Sequence, residues 1–308
     1  MAGVGASIVD NTVLPAFTFL SPFEWRDYAL LDSGYGRKLE RFGQYTFIRP
    51  EPQAFWSPAL QQKNWEAADA MFQTSDGEDK GNWQCQHPLE SRWIMRYRTL
   101  SFWARATPFR HLGVFPEQAT QWDWISAIIQ KAERPVKVLN LFGYTALATL
   151  AAAEAGAAVT HIDASKPAIT WARENQQLSG LEDRPIRWIQ DDALKFLRRE
   201  IRRGGKYDGF IMDPPKFGHG PKGEIWKLYE LLPDLLKACR ALLSDHPLFA
   251  VLTAYGISSS ALSLRYALEE MFAGHCGSIM AGEMGIVEQS AGRMLSSAIF
   301  SRWATQQS

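Results

Sequence analysis

Sulfur is scarce in this chain of 308 residues, and its three cysteines, Cys85, Cys239 and Cys276, are far apart in sequence. An odd, scattered set argues against both a disulfide framework and a Cys-based zinc site, so free thiols and no metal are expected. Charge bias is absent too, since 33 basic residues balance 33 acidic ones. No global field then drives the molecule towards nucleic acid or anionic lipid, and any such contact must rest on local patches. No stretch reaches the ~18 uninterrupted apolar residues of a membrane span. Residues 1–19 lack a basic start followed by a long apolar run, so a soluble, cytoplasmic chain without a membrane partner is expected. Internal repeats are missing, and so is a Gly-x-Gly-x-x-Gly phosphate cradle.

What is present is enough apolar residue, 46%, for one large core and a smaller appendage. Short alternating runs from Tyr28 to about Ala106 predict a small β meander, placed in an N-terminal β-rich domain over 1–107. The polar stretch 74–81 predicts an exposed loop. Residues 92–98 and 101–106 predict a hairpin with Trp93, Met95 and Tyr97 on one face and Arg92, Arg96 and Arg98 on the other. From Gln118 strands alternate with helices. Strands are predicted over 136–141, 158–163, 186–190, 208–213 and 248–253. Helices are predicted over 146–155, 167–179, 193–203, 224–243 and 259–272, and a final antiparallel pair lies near 277–281 and 296–302. The expected class is α/β: a Rossmann-like, seven-stranded, mainly parallel sheet with an antiparallel C-terminal strand, in a domain over 108–308.

The chemistry gathers at strand ends. The apolar run ending in Asp213-Pro214-Pro215-Lys216-Phe217 stops abruptly, because two prolines have no N–H and a fixed φ. That leaves the Asp213 carboxylate and the prolyl carbonyls at the sheet rim, where open α/β sheets bind ligands. The turn Asn140-Leu141-Phe142-Gly143-Tyr144-Thr145 follows the first strand with a single glycine, which suits an uncharged part of a ligand better than a pyrophosphate. Asp163 ends the second strand, the position of a ribose-hydroxyl acceptor. Asp191-Asp192 ends the third, suited to an adenine amino group, although Asp192 is equally placed to cap the helix that follows. Together these positions suggest an adenosine ligand without a diphosphate, a description that S-adenosylmethionine meets.

From about residue 109 to 303 the chain resembles the class I S-adenosylmethionine-dependent methyltransferases. It is most similar to the bacterial family that includes the 23S ribosomal RNA cytosine-C5 methyltransferases with an Asp-Pro-Pro-Lys-Phe motif. The resemblance rests on Gly113-Val114-Phe115-Pro116-Glu117-Gln118, the 140–145 turn, Asp163-Ala164-Ser165 with Ala172-Arg173-Glu174-Asn175, Asp191-Asp192-Ala193, Asp213 to Phe217, and Leu252-Thr253. It implies that Glu117 or Gln118 and the turn from Asn140 through Phe142, Gly143 and Tyr144 to Thr145 approach the methionine part. It also implies that Asp163 and Ala164 hold the ribose and Asp192 the adenine, while Asp213 and Pro214 frame the methyl-accepting base.

One departure from the family pattern is chemical. C5 methylation needs a cysteine thiolate to add to the pyrimidine, and the sequence reads Leu252-Thr253-Ala254-Tyr255-Gly256, with glycine at the thiol position. A nitrogen acceptor needs no covalent adduct, only an in-line approach to the sulfonium methyl. Phe217 is then a candidate to stack on a flipped base, with Lys216 and Tyr229 beside it. Between Ser91 and Pro116 five arginines, Arg96 and Arg98 among them, interleave with aromatics and no acid, as on single-stranded RNA surfaces. A solvated basic face over a buried aromatic one explains the same pattern. The expected function is therefore methyl transfer from S-adenosylmethionine to an RNA, ribosomal by resemblance. A methyltransferase of small molecules or proteins, or a catalytically silent cofactor- or RNA-binding module, is the alternative.

Overall fold

The computed structural model describes residues 16–75 and 80–306; part of the predicted polar loop, 76–79, lies outside them. The first part is β-rich: β1 (Phe17–Leu20), β2 (Tyr28–Gly34), β3 (Arg37–Phe42), β4 (Tyr45–Pro50), a one-turn helix α1 (Gln62–Glu66), β5 (Ala70–Thr74) and β6 (Gly81–Cys85). The hairpin β7 (Trp93–Tyr97) and β8 (Leu100–Ala104) follows. Strands β2 to β6 form one five-stranded sheet in sequence order. The predicted alternation holds in β7, where Trp93, Met95 and Tyr97 are buried and Ile94 and Arg96 exposed.

After a 3-10 turn at Pro116–Gln118 the alternation begins: α2 (Ala119–Lys131), β9 (Lys137–Leu141), α3 (Leu147–Glu154), β10 (Ala158–Asp163), α4 (Lys166–Leu178), β11 (Ile186–Gln190), α5 (Ala193–Arg202) and β12 (Gly209–Met212). Then come a short hairpin, β13 (Phe217–His219) and β14 (Ile225–Lys227), α6 (Leu228–Ala241), β15 (Phe249–Tyr255), α7 (Ala261–Met271), β16 (Gly277–Val287) and β17 (Met294–Thr305). The helix starts follow from local chemistry. Ser165, Asp192 and Ser260 each cap a helix by accepting from a backbone N–H of its first turn, replacing a partner those N–H groups lack.

The large sheet runs β1-β16-β17-β15-β12-β9-β10-β11, and β17 is antiparallel to both its neighbours. It has eight strands where seven were expected. The extra one is β1, which pairs parallel with β16 from Phe17↔Ala281 to Leu20↔Met284, so a segment N-terminal to residue 108 completes this sheet. The central strands β12 and β15 are buried along nearly all their length, as continuous apolar strands covered on both faces must be.

A second departure is local. The helix predicted from residue 224 begins only at Leu228, because Ile225–Lys227 pairs with Phe217–His219 as a hairpin. Trp226 holds that hairpin down: its indole N–H donates to the Pro215 carbonyl at 2.6 Å and its ring lies 4.9 Å from that of Phe142. The β-rich part is fastened to the large sheet by buried polar groups. Ser290 donates to Asp32 at 2.6 Å, Ser33 to Glu288, and the Gln289 and Ser290 amides to the Leu30 and Leu31 carbonyls.

Candidate active site

At the carboxyl ends of β9, β12 and β15 lies a narrow cleft of about 60 Å³, bounded by Phe115, Gln118, Asn140, Phe142 to Thr145, Asp213 and Thr253. The turn that forms its floor is strained. Phe142, Tyr144 and Ala146 adopt positive φ of 60°, 49° and 72°, which non-glycine residues accept only where the surroundings dictate it. Gly143, between them, is dictated by contact: a Cβ there would sit 2.3 Å from Cε1 of the buried His161 ring. His161 in turn meets the Thr149 hydroxyl at 2.9 Å, and the Asn140 amide donates to that same hydroxyl at 2.8 Å. Burial holds the His161 imidazole down to about 3, so it is neutral. The turn thus rests on an uncharged polar chain, with its backbone facing the cleft.

Asp163 sits at the end of β10 and fixes the same turn. Its two oxygens accept from the Tyr144 and Ser165 amides, both at 2.8 Å. Burial lifts its carboxyl above the usual carboxylate range, and those two N–H groups oppose the rise. Each oxygen keeps a second lone pair, so a ribose hydroxyl has an acceptor there. The Ala164 carbonyl accepts from Gln190 at 3.3 Å. Asp192 is the cap of α5, accepting from the Lys195 amide at 2.9 Å. It therefore has the structural role that its sequence position also allowed, with one oxygen engaged.

Asp213 is partly open to the cleft but surrounded by protein. The Gln118 amide donates to its Oδ2 at 3.0 Å. Burial first, then the nearby Glu117 carboxylate, push its carboxyl up to about 8, against the smaller opposing effect of Gln118. Of the two prolyl carbonyls, that of Pro215 is taken by Trp226, while no hydrogen bond among the described residues takes that of Pro214. Gln118 thus lines the cleft, whereas Glu117, its expected alternate, lines a separate and larger chamber.

The other expected substrate residues scatter. Phe217 is exposed on the β13–β14 hairpin, with its ring 5.2 Å from His219. Lys216 is exposed at the hairpin base, its carbonyl accepting from the Leu228 amide. The Tyr229 hydroxyl accepts from the Ser258 amide at 2.8 Å, tying α6 to the loop after β15. Arg98 is exposed but already ion-paired: it binds Asp123 of α2 through two bonds at 2.6 and 2.8 Å. Arg92 and Arg105 both pair with Glu174 and lie over Trp103 and Trp171. The run without acids had hidden its partners, because they come from α2 and α4. Arg96 stays exposed, on a hairpin that lines neither cavity.

Sequence reading missed the chamber altogether. It holds about 710 Å³ between β3, β4 and the 110–117 segment on one side and the ends of β15, β16 and β17 on the other, and it shares Val114 and Phe115 with the cleft. Its walls come from segments as far apart in sequence as Lys38 and Ile299, so no local motif announces it. Among the described residues no helix is long and apolar enough to cross a membrane.

Known proteins with these features are similar over different spans. A solved S-adenosylmethionine-dependent methyltransferase from Agrobacterium tumefaciens is 46% identical, with a TM-score of 0.90 over 94% of each chain. The ribosomal RNA large subunit methyltransferase K/L of Pseudomonas paraeruginosa is 40% identical over 97 residues, 31% of this chain and 13% of its own. The ribosomal RNA large subunit methyltransferase I of Klebsiella pneumoniae is 40% identical over 82 residues, 26% of this chain and 20% of its own. The chain therefore aligns with a fifth or less of these two curated relatives. The profile of the S-adenosylmethionine-dependent methyltransferases matches residues 65–267, two thirds of the sequence, and the chain belongs to that family.

Proposed function

We propose that the protein transfers the methyl group of S-adenosylmethionine to a nitrogen of an RNA base, with ribosomal RNA the substrate suggested by its curated relatives. The observation that carries the nitrogen assignment is the end of β15. Gly256 stands there in the left-handed region, φ 57°, which disfavours any side chain, with open space where a Cβ would project, so no thiol is supplied at that position. The three cysteines do not compensate. Cys239 is buried in α6, where desolvation pushes its thiol far up. Cys276 precedes β16 at the edge where Gly277 pairs with Thr305, opposite to Asp213. Cys85 ends β6, exposed.

The cofactor supplies an electrophilic methyl on a sulfonium. The residues that would hold it are Gln118, the Asn140 to Thr145 turn and the Asp163–Ala164 corner. The fit rests on a backbone turn that a Cβ at Gly143 would disrupt and on a carboxylate pre-set by two amides. Asp192 remains a candidate for the adenine through its second oxygen. Catalysis then consists mainly of positioning. Asp213 and the Pro214 carbonyl accept the N–H bonds of an attacking amine and point its lone pair at the methyl, and Phe217 on its hairpin offers a face for the displaced base.

The direct test incubates the protein with methyl-labelled cofactor and, separately, total RNA, protein extract or metabolites. Label in RNA, recovered as an N-methylated nucleoside, is the expected result. Label in protein or metabolites would favour the other acceptors, and C5-methylcytidine would overturn the nitrogen assignment. D213A should abolish labelling and leave the affinity for S-adenosylhomocysteine, which lacks the sulfonium charge, nearly unchanged.

A further inference from the structure

Asn175 is wholly buried, and it belongs to the run Ala172 to Asn175, none of which lines the cleft. It stands in α4 midway between Trp171 and Ser179, at four-residue spacing, so the three share one face of the helix. That face meets β8, whose only strand partner among the described residues is β7. The Ser179 hydroxyl donates to the Ser101 carbonyl at 2.7 Å and accepts from the Ser101 amide at 3.2 Å. Asn175 Oδ1 accepts from the Trp103 amide at 2.9 Å, and the Trp171 indole donates to the Trp103 carbonyl at 3.0 Å. Side chains of a helix thus satisfy the backbone groups that an edge strand leaves over.

Of the three, Asn175 alone carries a hydrogen bond on to the cofactor turn among the described residues. Its Nδ2 donates to the Thr145 carbonyl at 3.0 Å. That carbonyl shares a planar peptide unit with the Ala146 amide, and the Ala146 N–H donates to the Gly143 carbonyl at 2.9 Å. The plane is therefore pinned at both ends, which fixes its rotation and with it the left-handed φ of 72° at Ala146. A primary amide is suited to the bridge because it offers an acceptor to Trp103 and a donor to Thr145 at once. Thr145 is gripped from its other side as well, its hydroxyl donating to the Gly113 carbonyl at 2.7 Å.

We propose that Asn175 is a positioning residue for methyl transfer: it holds the Thr145–Ala146 peptide in the orientation that receives the cofactor, and it makes that orientation depend on the seating of the β7–β8 hairpin. The assignment deepens the function proposed above and rests on the cofactor lying at the Asn140 to Thr145 turn. The coupling is reciprocal, as any linkage must be. A ligand that steadies the turn steadies the Trp103 amide, and a hairpin that lifts slackens the turn.

The test uses the full chain, calorimetry with S-adenosylhomocysteine and amide hydrogen exchange resolved by residue. N175L keeps nearly the same volume and removes both bonds. It should weaken S-adenosylhomocysteine about tenfold, as the loss of a buried hydrogen bond implies, and speed exchange of the Ala146 amide by a similar factor. S179A removes both bonds to Ser101 from the same helix face, and it should leave affinity and Ala146 exchange within about twofold even where its melting temperature falls, because its bonds stop at the hairpin. In the wild type, saturating S-adenosylhomocysteine should slow exchange of the Trp103 amide about threefold more than that of Ser101. This last measurement decides the matter even if N175L fails to fold. Wild-type affinity in N175L, equal loosening of the turn by N175L and S179A, or equal protection of Trp103 and Ser101 by the ligand would overturn the role of Asn175 alone. A wild-type protein that does not bind S-adenosylhomocysteine would overturn the cofactor reading, and this assignment with it.

Discussion

Gln118 donates its amide to Asp213 Oδ2 at 3.0 Å, joining the start of α2 to the end of β12 across 95 residues of sequence. The bond is the only hydrogen bond that the described residues give to that carboxylate oxygen, and it is too little to keep the group ionised at neutral pH against burial and the neighbouring Glu117. In the free protein Asp213 is therefore mostly protonated at pH 7, and two predictions follow from that state.

The first concerns stability. A carboxyl raised from 3.8 to about 8 on folding binds a proton more tightly in the native state. Its contribution is therefore complete below pH 4 and is lost as pH rises towards 8. D213N, which cannot ionise, should melt progressively higher than the parent as pH rises over that window, and the gap should level off above it. The total is on the order of 2–5 kcal/mol, taking ~1.4 kcal/mol per pH unit as the ceiling. Melting curves at pH 5, 7 and 9 check this; a gap that does not change with pH would refute the raised ionisation.

Cofactor charge gives the second. A sulfonium placed near Asp213 favours the carboxylate, so S-adenosylmethionine binding at pH 7 should release a proton and S-adenosylhomocysteine, without that charge, should release less. Calorimetry in two buffers of different ionisation enthalpy measures the difference, which D213N should remove. Equal release by both ligands would place the sulfonium away from this carboxyl.

Gly143 and His161 should behave as a coupled pair. G143A forces a methyl into the His161 ring, at a cost of about 1–3 kcal/mol from overpacking, and should weaken cofactor binding at least tenfold by shifting the turn. Because the clash is with that ring, G143A in an H161A background should cost clearly less. A double-mutant cycle shows this as coupling of about 0.5–3 kcal/mol, and strict additivity would mean that the turn fails for another reason.

Trp226 and Arg98 are expected to differ sharply. W226F keeps most of the packing on Phe142 but removes the bond to the Pro215 carbonyl, so methyl transfer should fall about tenfold with cofactor affinity little changed. R98A removes an ion pair whose arginine is largely exposed, worth about 0–1 kcal/mol, and should leave both RNA affinity and transfer within twofold. A larger loss of RNA affinity in R98A would restore the β7–β8 hairpin as an RNA surface despite Asp123.

What local sequence announces, it announced well here. The strands 158–163 and 186–190 match β10 and β11 to the residue, because apolar runs bounded by turn chemistry need no distant information. The Asp213-Pro214-Pro215 stop and the single-glycine turn at Gly143 were legible for the same reason. Long-range pairing was not. Neither the partner of Arg98 nor the joining of β1 to β16 leaves any mark within its own segment. Of the hairpin at Phe217–His219 and Ile225–Lys227, the second strand reads as helix in sequence because its decisive contact, Trp226 under Pro215, is tertiary. Glu117 and Gln118 read alike in sequence, and only the 3-10 turn sends them to different cavities.

The pairing of Phe17–Leu20 with Ala281–Met284 has a consequence for biogenesis. The first strand of the large sheet has nothing to dock on until residues 281–284 have left the ribosome, so its aromatic side chains wait in solution while the more than 250 residues between are made. Closing so long a loop makes this edge a late event in folding, and a nascent chain halted before residue 281 should still expose that N-terminal segment to protease.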